Sequence, residues 1–168
     1  MKSNYEERAK RFIHSIYNYI TDCVEPEDFE QAMYFYNCEY NRKVIVQHGL
    51  TRVALITSDY VIKINCGTLR NLNDFGDCEK EVELYEMAEE EGFDYLLAKI
   101  TPYYYGDMVF YIMPRIHGVG RTYEDANYYM TFAELDWCAE KRLFDLHNGN
   151  YGWRNKHICL IDYAACAL

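Results

Sequence analysis

The feature that most constrains the fold is a change of hydrophobic period near residue 43. Before it, Phe12, Ile13, Ile16, Tyr17 and Ile20 recur at helical spacing with charges between them, and Pro26 opens a second helical stretch reaching about Tyr40. After it, "KVIVQHGLTRVALITSDYVIKIN" falls into three β-branched runs, Val44 to Val46, Val53 to Thr57 and Tyr60 to Asn65, separated by "QHGLT" and the turn "SD". The order is a helical lead-in followed by short strands.

The later texture extends the pattern. A helix is expected from about Asp77 to Glu91 in "DCEKEVELYEMAEEEG", stopped by Gly92, with Glu89 to Glu91 read as a solvated helix end lying at the unfavourable pole of the helix dipole. "YLLAKI" and "MVFYIMPRI" are strand-like and joined by "TPYYYGD" as a hairpin. Tyr123 to Tyr129 and Thr131 to Phe144 are expected to be helical, and "HICLIDYA" is the strand of a final hairpin. No internal repeat or low-complexity run interrupts this order, which gives an α+β protein.

Composition narrows the chemistry. The length of 168 residues suits one domain, or one domain with an appendage, and the 18 tyrosines mark a globular chain whose apolar surface carries many hydroxyls. A net charge of -10 repels phosphate backbones and anionic lipid, which argues against nucleic acid or a membrane surface as main partner, although a local basic site could still hold a small anion. The seven cysteines are scattered, odd in number and without a CxxC pair, as expected of reduced thiols in a cytoplasm. The charged start "MKSNYEERAKRF" does not read as a signal peptide, and no segment is apolar enough for a membrane helix.

Four polar residues stand out against this background. Lys63 sits in the apolar run "YVIKIN", where its ammonium needs an acidic partner or an anion. Asp145 and Asn150 share the loop "RLFDLHNGNYG", and Asp162 leaves the hydrophobic run "CLIDYA", where a carboxylate is costly unless it binds something. One Asn oxygen and one carboxylate are hard ligands suited to Mg2+, and an upstream Asp can orient or deprotonate a hydroxyl. The histidines carry less: His48 reads as a turn residue, His117 and His157 as surface or hinge residues, and His14 as part of an amphipathic helix.

In this order the residues resemble the protein-kinase-like fold, in the variant whose catalytic loop reads D-L-H-x-G-N, as in small-molecule and bacterial kinases. The resemblance covers about Lys43 to Ala164. It implies a helical extension over residues 1–42, an N-lobe over 43–116 built on a five-stranded antiparallel sheet with one helix, and a minimal helical C-lobe over 117–168. It also implies ATP and Mg2+ as cofactors, bound between the lobes. "QHGLTRVAL" with His48 and Gly49 corresponds to the phosphate loop and Lys63 to the third-strand lysine. Glu81 corresponds to the helix partner of that lysine, and is favoured over Glu83 by its position relative to Tyr85. In "YIMPRIHG" Met113 takes the gate position, the Pro114 carbonyl receives the adenine amino group and the Ile116 amide donates to the ring. A proline keeps the carbonyl that this needs. Asp145 is implied as base or hydroxyl-positioning group, Asn150 and Asp162 as metal ligands, and His147 stands where many protein kinases have a lysine.

The departures bear on function. One glycine, Gly49, stands where protein kinases usually have three, Phe144 precedes Asp145 in place of an arginine, and Tyr163 and Ala164 replace the Phe and Gly of D-F-G. The sequence has no activation segment and none of the later large-lobe helices, as in the compact, C-terminally truncated kinase-like chains of bacteria and their viruses. The bracing those helices give is expected to come from residues 1–40, or else from a second copy in a homodimer or another partner. Two functions follow. The chain is either a phosphotransferase acting on a hydroxyl of a small molecule or protein, or a pseudokinase that holds a nucleotide or a protein surface without turnover.

Overall fold

The computed structural model describes residues 4–49, 51–67 and 78–163. The protein is α+β, and it divides into two units, one of Met1–Asp74 with Thr101–Arg115 and the other of Phe75–Ile100 with Ile116–Leu168.

The first unit contains helices α1 (Tyr5–Ile20) and α2 (Pro26–Tyr40) and strands β1 (Ile45–His48), β2 (Arg52–Ile56), β3 (Tyr60–Asn65), β4 (Thr101–Tyr105) and β5 (Met108–Pro114). All five strands are antiparallel, in the order β1-β2-β3-β5-β4. Both helices begin on side-chain caps: Asn4 Oδ1 accepts from the Glu6 amide at 3.1 Å, and the Asp28 carboxylate accepts from the amides of Val24 and Glu25 at 3.0 and 2.9 Å. Asn41, at φ 49°, ends α2, and the Asn37 side chain then grips the Val44 backbone at both N–H and C=O, at 3.0 and 2.9 Å. That double bond fixes where β1 starts.

Ala9, Ile13, Ile16 and Ile20 of α1 and Phe29, Met33 and Tyr36 of α2 are buried at helical spacing, in one core with Val53, Leu55, Ile62, Ile64, Phe110 and Ile112 of the sheet. Each such aliphatic side chain contributes about 1.5–3 kcal/mol. His14 adds a polar tie from α1 to β4, with its ring 4.0 Å from that of Tyr105 and hydrogen-bonded to the Tyr103 hydroxyl at 2.8 Å. The apolar faces of α1 and α2 are therefore taken up by the sheet.

The "TPYYYGD" connection is also different from its sequence reading. "TPYYY" is itself strand β4, and only Gly106 and Asp107 make the turn to β5. Gly106 is needed there, because its φ is 60° and a Cβ would lie 2.1 Å from the Tyr17 hydroxyl.

The second unit contains α3 (Cys78–Glu91), α4 (Phe132–Glu140) and the hairpin β6 (Tyr151–Arg154) and β7 (His157–Leu160). "YLLAKI" forms no strand of its own. Asp94–Leu96 is a 3-10 turn, and Leu96, Leu97 and Ala98 are fully buried. Burial explains the misreading, since a short continuous apolar run does not distinguish a buried turn from a strand. The segment is held by the Arg154 guanidinium, which donates to the carbonyls of Asp94, Tyr95 and Leu97, and by the Ala98 amide, which donates to the Leu160 carbonyl at 2.8 Å. Tyr123 to Tyr129 contains only the short 3-10 helix Ala126–Tyr129. The helix expected to Phe144 ends at Glu140, because Arg142 turns left-handed at φ 58°.

The acidic end of α3 is not simply solvated. Glu91 accepts from Lys141 Nζ at 2.7 Å and from Trp137 Nε1 at 2.6 Å, fastening α3 to α4. Among the described residues no helix is long and apolar enough to cross a membrane.

Candidate functional site

The loop between α4 and β6 is shaped by its own backbone and by the segment before α4. The Leu143 amide returns to the Cys138 carbonyl at 2.8 Å, the Asn150 amide closes a turn on the His147 carbonyl at 2.9 Å, and Asn150 Nδ2 donates to the Asp145 carbonyl at 3.1 Å. Asn150 is buried, at 8% exposure, so its amide orientation is fixed by these contacts.

What braces the loop from outside is residues 118–126. The Gly120 amide donates to the Asn148 carbonyl at 2.9 Å, Asn148 Nδ2 to the Thr122 carbonyl at 2.7 Å, and the Ala126 amide to the Leu146 carbonyl at 2.7 Å. Tyr151, buried at the start of β6, donates its hydroxyl to the Glu124 carbonyl at 2.8 Å and meets the Thr122 hydroxyl. Backbone carbonyls do most of this work. The sequence reading missed the segment because carbonyls carry no residue-type signal.

The β6–β7 hairpin then brings Asn150 and Asp162 to one end of the same element. Tyr151 pairs with Leu160, and one step outward the Ile161 amide donates to the Asn150 carbonyl at 2.9 Å. Asp162 follows directly, half-buried, and Tyr163 after it is buried with its hydroxyl donating to the Ala98 carbonyl at 2.9 Å. Burial pushes the Tyr163 hydroxyl well above its ordinary pKa, so it remains a donor. Its amide donates to Glu81 Oε1 at 3.2 Å. Glu81 is completely buried on α3 whereas Glu83, one residue beyond Val82, is exposed.

Asp145 and His147 lie side by side, half-buried and exposed, with imidazole Nε2 3.5 Å from a carboxylate oxygen. Because His147 Nδ1 accepts from the Gly149 amide at 3.0 Å, the neutral ring carries its proton on Nε2, facing Asp145. Gly149 and Gly152 do not serve the turn by positive φ, as neither adopts one. Gly152 serves close approach instead, since a Cβ there would stand 2.5 Å from the His117 carbonyl oxygen.

The remaining sequence-derived residues lie as follows. His48 ends β1, exposed, 3.9 Å from the Glu30 carboxylate, and Gly49 begins the turn to β2, its amide bonded to the Arg52 carbonyl at 3.0 Å. Lys63 is in the centre of the sheet, opposite Ala54 of β2 and Tyr111 of β5, and only 8% exposed. Met113 is buried in β5 and Pro114 closes that strand opposite Tyr60. Ile116 is buried and is the first residue after the chain leaves the first unit, which ends at Arg115.

No protein-family model, curated protein or solved structure matches the chain. The chemistry of the site has to be read from its own donors. Among the described residues no group of three or more His, Cys, Asp or Glu could hold a metal ion. Asn150 and Asp162 are oxygen donors of the kind Mg2+ takes, as that ion is commonly held by one or two protein oxygens with water and substrate phosphates completing its shell. Burial pushes the Cys138 thiol to about 12 and the Cys159 thiol to about 11, which keeps both protonated at neutral pH.

The sequence also held a signal that was left unread. Thr131 and Glu134 form a reciprocal capping box on α4, and the Tyr95 hydroxyl donates to the same carboxylate at 2.9 Å. Burial alone would raise the Glu134 carboxyl, but the donors from Thr131 and Tyr95 outweigh it and hold it below the ordinary value.

Proposed function

We propose that this chain is a kinase-like protein that binds ATP with Mg2+ and transfers the γ-phosphate to a hydroxyl acceptor. The observation that supports this reading is the joining of Asn150 and Asp162 through the β6–β7 hairpin, with Asp145 tied to Asn150 in the same loop. Hard oxygen ligands and a hydroxyl-orienting carboxylate, held on rigid backbone, are the parts that phosphoryl transfer asks of a protein.

In this reading Asp145 accepts a hydrogen bond from the acceptor hydroxyl and takes its proton as the phosphorus–oxygen bond forms. Asn150 and Asp162 hold the metal, which neutralises phosphate charge when bound. By the resemblance Lys63 takes the phosphate oxygens and Glu81 is its acidic partner; within the second unit Glu81 also accepts the amide of Tyr163, the residue after Asp162. His48 and Gly49 cover the phosphates, and Met113, Pro114 and Ile116 receive the adenine.

One observation favours the non-catalytic alternative. An Nε2 proton of His147 directed at Asp145 stands where an acceptor hydroxyl would have to approach that carboxylate, as suits a pseudokinase that binds nucleotide or protein without turnover.

Thermal shift with ATP and Mg2+, on wild type and on Lys63→Ala and Asp162→Asn, tests the reading. At a ligand concentration 100 times Kd the stabilisation is about 2.7 kcal/mol. Both variants are expected to lose most of it, and a wild type indifferent to the nucleotide refutes the ATP site. A shift without phosphate transfer to a broad acceptor panel selects the binder, and stabilisation by a macromolecule alone selects an interaction module.

A further inference from the structure

Four basic side chains of this acidic chain line a single cleft of the first unit. On α1, Arg8, Arg11, Phe12 and Ser15 follow the spacing of a single helix face. They form one wall of a cleft of about 830 Å³, whose other walls are the end of α2, where Arg42 and Lys43 follow Tyr40, and the β2–β3 turn carrying Asp59. Four of the chain's 17 basic residues thus face one acid, Asp59, in a protein whose net charge is -10.

That one acid is already engaged, since Arg8 Nη1 lies 2.5 Å from its carboxylate. Among the described residues no carboxylate lies within ion-pair distance of Arg11, Arg42 or Lys43. Arg8 Nε, on the same guanidinium, is buried without a hydrogen-bond partner, a state that native proteins rarely leave unexplained.

The cleft is also held open by rigid parts. The β2–β3 turn is pinned by Thr57 Oγ1 donating to the Tyr60 carbonyl at 2.8 Å and by Arg115, whose guanidinium donates to the Thr57 carbonyl at 2.6 Å and whose amide donates to the Asp59 carbonyl at 3.0 Å. On the opposite wall Tyr40 is half exposed, its ring 4.9 Å from that of buried Tyr36, and Tyr36 shares a 2.9 Å hydroxyl contact with Ser15.

Cations gathered without counter-charge repel one another, and an anion with two or more charges relieves this while giving Arg8 Nε an acceptor. We infer that this cleft binds a small phosphorylated molecule with a planar ring, of the nucleoside-phosphate class. Its phosphate lies among Arg8, Arg11, Arg42 and Lys43, and its ring lies along Phe12 and Tyr40. A small molecule is favoured over a polymer because the volume falls within the roughly 300–1,000 Å³ of small-ligand pockets, and the -10 charge of the whole chain opposes an extended polyanion. This site needs no Mg2+ and uses neither Lys63 nor Asp162.

Isothermal titration with AMP, inorganic pyrophosphate and adenosine, in EDTA and about 0.15 M salt, tests the inference. Wild type and Lys63→Ala are expected to bind AMP and pyrophosphate equally well, and adenosine at least tenfold more weakly than AMP. Arg11→Gln with Arg42→Gln, both at exposed positions, is expected to weaken AMP and pyrophosphate by about tenfold or more. Should the double variant melt early by far-UV circular dichroism, Arg42→Gln alone carries the same expectation at about threefold. Absence of AMP and pyrophosphate binding, equal binding by the arginine variants, or loss of binding on Lys63→Ala overturns the inference. Binding of an oligonucleotide or a phosphopeptide in place of AMP also overturns it.

Discussion

Gly152→Ala offers a sharp test of how the catalytic-type loop is built. The backbone of Gly152 is not left-handed, so alanine meets no φ penalty there, and the substitution isolates one contact. The new Cβ would stand 2.5 Å from the His117 carbonyl oxygen and 2.7 Å from Ile116 Cγ2, where ordinary contacts begin at 3.4 Å. The oxygen belongs to backbone and cannot swing aside. It also accepts the Trp153 amide at 2.9 Å, so backing β6 away stretches that bond beyond use. Overpacking of this kind costs about 1–3 kcal/mol and the lost hydrogen bond about 1 kcal/mol, against which the stiffer unfolded chain returns about 0.4–1 kcal/mol. A net loss of about 1–3.6 kcal/mol corresponds to a fall in Tm of roughly 2–14 °C for a chain of this size.

Gly149→Ala is the control. Its Cβ would meet only the exposed His147 ring, 2.8 Å from Cε1, which can rotate away at the cost of its bond from the Gly149 amide, about 0.5–1 kcal/mol. Both tryptophans, Trp137 and Trp153, lie in the second unit, so tryptophan fluorescence during thermal and urea unfolding reports on the unit concerned. If Gly149→Ala costs as much as Gly152→Ala, the close-approach account is wrong and the two glycines serve loop flexibility alike.

Three further outcomes are expected. Tyr163→Phe strands the buried Ala98 carbonyl and should cost the second unit about 1–3 kcal/mol in urea unfolding followed by tryptophan fluorescence. Asn37→Ala frees both the amide and the carbonyl of Val44 and should cost the first unit about 1–3 kcal/mol by far-UV circular dichroism, with Asn37→Asp, which keeps only the acceptor, falling between. For Glu91, hydrogen bonds first from Lys141 and then from Trp137 hold the carboxyl below its ordinary 4.5, so the folded-state pKa is depressed. Its stabilising contribution is then present above pH 4.5 and disappears as pH falls through the lowered value. Glu91→Gln should therefore melt earlier than wild type at pH 7, with the difference closing toward pH 3. A gap that persists or widens on acidification would contradict the pairing.

Long, strongly periodic segments were legible from sequence. The bounds of α1, α2 and β3 follow directly from Tyr5 to Ile20, Pro26 to Tyr40 and Tyr60 to Asn65, because each combines many period matches with a cap or turn at its edge. "YLLAKI" failed because burial on all sides erases alternation, and α4 ended early because the left-handed residue that stops it is Arg142, which composition does not mark. At the candidate site the expected final hairpin is present, and its register joins Asn150 to Ile161, the residue before Asp162. The brace at residues 118–126 was invisible since its acceptors are the carbonyls of Thr122, Glu124, Leu146 and Asn148, which any residue would supply. Glu91 was misread for another reason: its partner Lys141 is distant in sequence, so only tertiary packing reveals it.

The strand order of the first sheet has a consequence for how the chain leaves the ribosome. β5 lies between β3 and β4, so after Asn65 has been synthesised the outer edge of β3 waits through more than forty further residues, as far as Met108 to Pro114, before its neighbour exists. An open strand edge in a nascent chain invites pairing with another chain, and a lysine on that edge is a common defence. Lys63, enclosed between Ala54 and Tyr111 in the finished sheet, is for those seconds of synthesis an exposed charge on the waiting edge. The residue proposed to take phosphate is thus also placed to guard the sheet while it is incomplete.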